Sequence, residues 1–312
     1  MKNTKYIILF TVFIFITGFF LIKFIVSGNV SFADDMDMVK ETIKVNNDQR
    51  IFYVHLPEIY RKEDKKLPVV IIFHGTVADA NKIKNYTKFN NFADKKGIIT
   101  VYPEYTGNFE WDLKPAEKSK DIKFVSKMID FMTKNYKVDK SKIYATGYSS
   151  GAEMDYLLAC TLSDKIAAFA PISGNMRKSY IAECKANKPV SILLVHGTDD
   201  PYEKWDGNPA KEMISVDEIL KFWKTRNKCS DSTKETVFPH KNPDESLTTA
   251  KLYENDACKD NSEVSILKIE GGGHTWPGSP TSVRIETFLG KTNYDVEGND
   301  IIWDFFSKHK LN

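Results

Sequence analysis

Three residues in a single chain order carry most of the chemistry this sequence could perform: Ser149, then Asp200, then His274. A serine hydroxyl is a poor nucleophile near neutral pH, so acyl transfer through it needs a base to take its proton and an acid to orient that base. Ser149 sits in Gly147-Tyr148-Ser149-Ser150-Gly151, after a β-branched and aromatic run at 143–146 and before a helix-forming stretch. A strand, Gly-x-Ser-x-Gly and a helix in succession make the strained elbow that presents a nucleophilic hydroxyl. Asp200 follows the apolar run 190–195 in His196-Gly197-Thr198-Asp199-Asp200-Pro201, where Asp199 is the competing carboxylate. His274 follows the run 264–269 and is flanked by Gly271-Gly272-Gly273 and Thr275-Trp276-Pro277-Gly278, which leave the backbone free to bend before it and fix a turn after it. The remaining histidines, 55, 74, 196, 240 and 309, read as structural or surface groups.

The charge of a tetrahedral intermediate also needs preorganised donors. The expected pair is the backbone N–H of Ser150 and that of Thr76 in His74-Gly75-Thr76. Tyr148, Trp111, Trp205 and Trp276 are the aromatic groups that could line a substrate pocket, with Trp276 foremost because it stands beside the base. No Cys-x-x-Cys or histidine spacing suggests a metal, and no organic cofactor is expected.

The elements that would position these groups alternate along the chain. Strands are expected at 49–57, 67–73, 97–103, 143–146, 167–174, 190–197 and 264–269. The run 67–73 is continuously apolar between Pro and Gly, as in a strand buried on both faces of a parallel sheet. Helices are expected at 86–96, 121–136, 216–227 and 301–309, with loops at 61–66, 104–118 and 229–246. Strands alternating with helices, and Ser, Asp and His at strand ends in that order, predict an α/β-hydrolase fold with a mostly parallel central sheet and helices on both faces.

The net charge of +2 includes Lys2, Lys5 and Lys23, and without that leading segment the chain carries −1, so no nucleic-acid footprint exists. Residues 6–22 form an apolar run behind Lys2 and Lys5, and Ser31-Phe32-Ala33 offers small residues for signal-peptide cleavage. Residues 1–33 therefore read as an export signal, or as a membrane anchor facing outside the cytoplasm, and 34–312 as one catalytic domain. All four cysteines lie in the exported part, where an even count suggests two disulfides, and three pairings are possible.

His74-Gly75, the block 138–154, residues 168–174, His196-Gly197-Thr198-Asp199-Asp200 and Gly271-Gly272-Gly273-His274-Thr275-Trp276-Pro277-Gly278 together resemble the polyhydroxybutyrate depolymerase and feruloyl esterase family of secreted esterases. The resemblance spans about 50–309, and its most specific part is the Gly-Gly-Gly-His-Thr-Trp-Pro-Gly run. It implies Ser149 as nucleophile, Asp200 as acid, His274 as base, and bridges Cys160–Cys184 and Cys229–Cys258. Three departures fall around the pocket rather than the triad. Tyr202-Glu203-Lys204-Trp205 stands where such proteins often carry Val-Pro-Tyr, Thr76 where they often carry Cys, and Ala152-Glu153 where they carry a small or apolar pair. The expected activity is hydrolysis of short-chain, hydroxycinnamoyl or hydroxyalkanoate esters, with crystalline polyester the least expected substrate. Competing readings are a peptidase or acyltransferase on the same fold, and a non-catalytic binding protein of the cell envelope.

Overall fold

The computed structural model describes residues 38–76, 78–106, 110–114, 118–242 and 247–311. The expected export signal at 1–33 lies outside them. Ten strands form one sheet: β1 (Val39–Val45), β2 (Asp48–His55), β3 (Leu67–Phe73), β4 (Ile99–Pro103), β5 (Val138–Tyr148), β6 (Ala168–Ile172), β7 (Ser191–Gly197), β8 (Lys234–Val237), β9 (Thr249–Glu254) and β10 (Val264–Glu270). Their order is β1-β2-β4-β3-β5-β6-β7-β10-β9-β8. From β4 to β10 every neighbouring pair is parallel, and an antiparallel hairpin closes each side.

Buried on both faces, β3 shows why its run is continuously apolar. Val69, Ile71 and Phe73 enter one hydrophobic cluster and Val70 and Ile72 the other, as the two-residue side-chain period requires. The first cluster packs the sheet against α4 (Lys120–Asn135), α5 (Ser150–Thr161) and α7 (Val216–Arg226), through Phe124, Met128, Leu157, Leu158, Ile219 and Trp223. The second packs it against α2 (Ala80–Thr87), α3 (Phe89–Lys96) and α9 (Gly298–Ser307), through Ile83, Phe89, Ile302 and Phe306. Helices thus cover both faces of a mostly parallel sheet, the α/β-hydrolase architecture expected from the strand and helix order. Three short helices complete the set: α1 (Glu58–Lys62), α6 (Lys178–Glu183) and α8 (Val283–Leu289). Among the described residues no helix is long and apolar enough to cross a membrane.

Local chemistry sets the helix starts. The Ser119 hydroxyl accepts from the N–H groups of Asp121 and Ile122, and Ser215 forms a capping box with Glu218 at the head of α7.

The structure corrects several sequence-based expectations. The helix expected at 86–96 is two helices, α2 and α3, parted at Lys88, whose φ of 53° breaks the helical path. The loop expected at 61–66 begins inside α1. The tract 229–246, read as loop, contains β8, which pairs with β9. β1 was not anticipated either; it is solvent-facing on most of its length and gains its order from pairing with β2 along its whole length. The cysteines pair as Cys160–Cys184 and Cys229–Cys258, and no free cysteine occurs among the described residues.

Candidate active site

The elbow is built where β5 runs into α5. Ser149 joins them with φ 59° and ψ −120°, a conformation that non-glycine residues avoid. Packing enforces it. A Cβ on Gly147 would stand 2.2 Å from the Gly151 carbonyl oxygen, and one on Gly151 would stand 2.3 Å from the Phe73 carbonyl oxygen. Only hydrogen at both positions lets the turn close against the exit of β3. The Ser149 N–H donates to the Ile172 carbonyl at 3.0 Å, tying the turn to β6.

Ser150 opens α5, so its N–H is among the first four of the helix that find no acceptor inside it. Those groups and the positive end of the helix dipole favour negative charge at that point. Gly75 brings the β3 exit loop against the same turn, because a Cβ there would lie 3.2 Å from Ser149 Cβ. Thr76 follows it in an exposed position.

The loop after β7 and the loop after β10 meet. His274 Nδ1–H donates to Asp200 Oδ2 at 2.8 Å, and both residues are buried. A carboxylate can only accept, so the proton on Nδ1 leaves Nε2 with its lone pair free to act as a base. The other Asp200 oxygen accepts from the N–H groups of Tyr202 and Glu203, each at 2.9 Å. Asp199, the competing carboxylate, is exposed and accepts from its neighbour Thr198. The geometry therefore joins Asp200, not Asp199, to His274.

Tyr148 links this pair to the elbow. Its ring lies 5.0 Å from the His274 imidazole, and its hydroxyl donates to the His274 carbonyl at 2.6 Å. Burial pushes the phenol well above its ordinary range, so it stays a donor. Ser149 is the next residue in the chain.

The other predicted pocket aromatics divide. Trp276 is 1% exposed, with its indole N–H on Asn299 and its backbone N–H on the Tyr86 hydroxyl. Trp111 is buried and donates to the His74 carbonyl, bracing the exit of β3. Both were candidates to line a pocket; the structure buries both and ties each to a neighbouring element by a hydrogen bond. Trp205 is half-buried, edge-on to His196, and hydrogen-bonded to Asp217.

Sequence reasoning missed several groups around the triad. Tyr202, 41% exposed, holds its ring 5.3 Å from His274 and supplies an open aromatic rim. His196 donates from Nε2 to the Glu203 carbonyl at 2.6 Å, and burial lowers its pKa, so a neutral imidazole stands behind Asp200. Glu203 and Glu153 both have raised pKa values because burial disfavours their charge. The signal available for them was the pair of departures at 152–153 and 202–205. Among the described residues no group of three or more His, Cys, Asp or Glu side chains is disposed to hold a metal ion.

Residues 55–264 match the BD-FAE family, a span that holds Ser149 and Asp200 and ends before His274. The bifunctional acetylxylan esterase/xylanase XynS20E of Neocallimastix patriciarum is 32% identical over 244 residues, 77% of this chain and 31% of that protein. Feruloyl esterase B of Piromyces equi is 27% identical over 224 residues, 68% of this chain and 40% of that protein. The chain thus spans well under half the length of these two relatives. Among solved structures, an acetyl xylan esterase from Aspergillus awamori matches at TM-score 0.59 and 15% identity, covering 86% of this chain and 99% of that one, a likeness of fold.

Proposed function

The chain belongs to the BD-FAE family, and we propose on that footing that it is a serine ester hydrolase working through Ser149, Asp200 and His274. The observation that supports this most is the 2.8 Å bond from His274 Nδ1 to buried Asp200, together with a serine held at positive φ at the elbow. Ser149 Oγ attacks the ester carbonyl as His274 Nε2 takes its proton. The oxyanion is met by the N–H groups of Ser150 and Thr76, each contributing about 3 kcal/mol of transition-state stabilisation. The intermediate collapses, His274 protonates the departing alkoxide, and an acyl-serine forms. Water then enters, gives its proton to His274, and releases the acid.

The substrate class is an acetyl or hydroxycinnamoyl ester of a carbohydrate. The relatives' names support this, as does the aromatic rim at Tyr202. Two disulfides and the apolar leading segment support action outside the cytoplasm. Labelling the chain from Asp34 onward with a fluorophosphonate, with mass mapping and a Ser149→Ala control, tests the reading. One label per chain on Ser149, absent in the variant, is expected; folded protein that takes no label refutes it.

A further inference from the structure

The segment that leaves β3 is pinned by groups from the chain after β4. Its His74 carbonyl accepts from the Trp111 indole N–H at 2.8 Å. Its Gly75 carbonyl accepts from His74 Nδ1 at 2.9 Å and from the Ala78 N–H at 3.2 Å. The Ala78 carbonyl accepts from the Tyr105 hydroxyl at 2.8 Å, and the Ala80 N–H, at the start of α2, donates to Glu104 Oε1 at 2.9 Å. Glu104 directly follows β4 and is itself fixed. Its N–H donates to the Ile51 carbonyl at 3.0 Å, and its carbonyl accepts from buried Arg50 at 3.1 Å.

His74 is the wholly buried member of this set, and its ring lies 4.6 Å from that of Tyr105 and 4.8 Å from that of Trp111. A carbonyl only accepts, so the bond to Gly75 places a proton on Nδ1. Nε2 makes no hydrogen bond among the described residues, and Glu104 Oε2 stands 3.5 Å from it. The carboxylate thus faces the ring edge opposite the one that grips Gly75.

What the grip fixes is the peptide between Gly75 and Thr76. A trans peptide directs its N–H opposite to its carbonyl, so a Gly75 carbonyl held by His74 and Ala78 sets the direction of the Thr76 N–H. That N–H takes no acceptor among the described residues. Gly75 itself packs on the elbow, where an added Cβ would lie 3.2 Å from Ser149 Cβ. Donors to an oxyanion act because they are aimed before the charge develops, so whatever fixes this peptide bears on the chemical step.

We propose that His74 and Glu104 are positioning residues for acyl transfer, which hold the Gly75–Thr76 peptide so that the Thr76 N–H is preset for the oxyanion. This rests on the esterase reading, with Thr76 as an oxyanion donor. The test is kcat and KM on 4-nitrophenyl acetate, with urea unfolding alongside, for the chain from Asp34 onward. No hydrolysis by the folded wild type would overturn the esterase reading and the positioning roles with it. His74→Asn keeps an amide donor near the place of Nδ1 but leaves a gap between Tyr105 and Trp111, whereas His74→Phe keeps the ring's packing and has no donor. The kcat of His74→Phe should fall about tenfold or more below that of His74→Asn with KM within about twofold, a part of the hundredfold or more that loss of a whole donor costs. Stability should run the other way, with His74→Asn the weaker in urea. If kcat instead follows stability, so that His74→Phe equals or exceeds His74→Asn, packing alone is at work and the proposal is overturned while the esterase stands. Glu104→Gln keeps an oxygen for the Ala80 N–H and removes the charge facing Nε2. Its kcat should fall about threefold or more, the size of a modest electrostatic contact, with the urea midpoint unchanged. An unchanged kcat overturns the role of Glu104, and if a His74 variant does not fold this variant decides.

Discussion

Glu153→Gln should change how stability depends on pH, and the size follows from where the carboxyl sits. The residue is 6% exposed, and burial is the largest influence on it, pushing its pKa from 4.5 up to about 7. Arg177 opposes that shift only in part because its side chain is 35% exposed and screened by water, while Glu203 adds to it. The folded protein therefore holds this proton more tightly than the unfolded chain does. Such a group contributes stability that is full below about pH 4.5 and lost as pH rises through about 7. The gap between 4.5 and about 7, at 1.36 kcal/mol per pH unit, sets a ceiling of about 3 kcal/mol. Between pH 5 and pH 8 about 2 kcal/mol of it disappears. Urea unfolding followed by tryptophan fluorescence at pH 5, 6, 7 and 8 reads this directly. Relative to wild type, the Gln variant should gain about 2 kcal/mol across that range, because it has no proton to lose. Stability curves that run parallel from pH 5 to pH 8 would refute the reasoning.

Asp200→Asn should lower kcat on an aryl ester about a thousandfold or more while leaving the unfolding midpoint within a few degrees, since the amide can fill the same space but favours the wrong imidazole tautomer; a tenfold loss or less would show that Asp200 does not orient the base. Replacing Cys160 and Cys184 together by Ser opens a loop of 24 residues and should cost about 3 kcal/mol in urea unfolding. Reduction of the wild type should reproduce at least that loss.

The central strands were legible because burial on two faces leaves an unbroken apolar run, and 67–73 was read with the bounds the structure gives β3. The elbow was legible for a different reason: Gly147 and Gly151 mark backbone contacts too close for any side chain. What escaped was decided by partners distant in sequence. β8 is short and mostly exposed, so its residues carry no strand pattern of their own and order only against β9. Lys88 carries no breaker chemistry, yet it parts two helices because the chain must turn there to bury Ile83 and Phe89 in the same cluster. Trp276 stands beside the base in sequence but points into the packing with α9, and nothing local distinguishes that from a pocket wall. Arg177 Nε on Glu153 of α5, and the Asn175 N–H on Glu203 of the loop after β7, join segments whose proximity no single stretch of sequence encodes.

The two antiparallel hairpins that flank the parallel strands bear on the behaviour of the protein at high concentration. A sheet ends in a row of unpaired N–H and C=O groups that can template the strand of another molecule. Here the outermost strands are β1, with exposed Lys40 and Lys44, and the four-residue β8, with exposed Lys234 and Glu235. Charge at one border and brevity with charge at the other make strand addition unfavourable, so the apolar parallel strands are never the border themselves. Fibrous self-association is thereby opposed by the two hairpins at the sheet's borders rather than by the parallel strands between them.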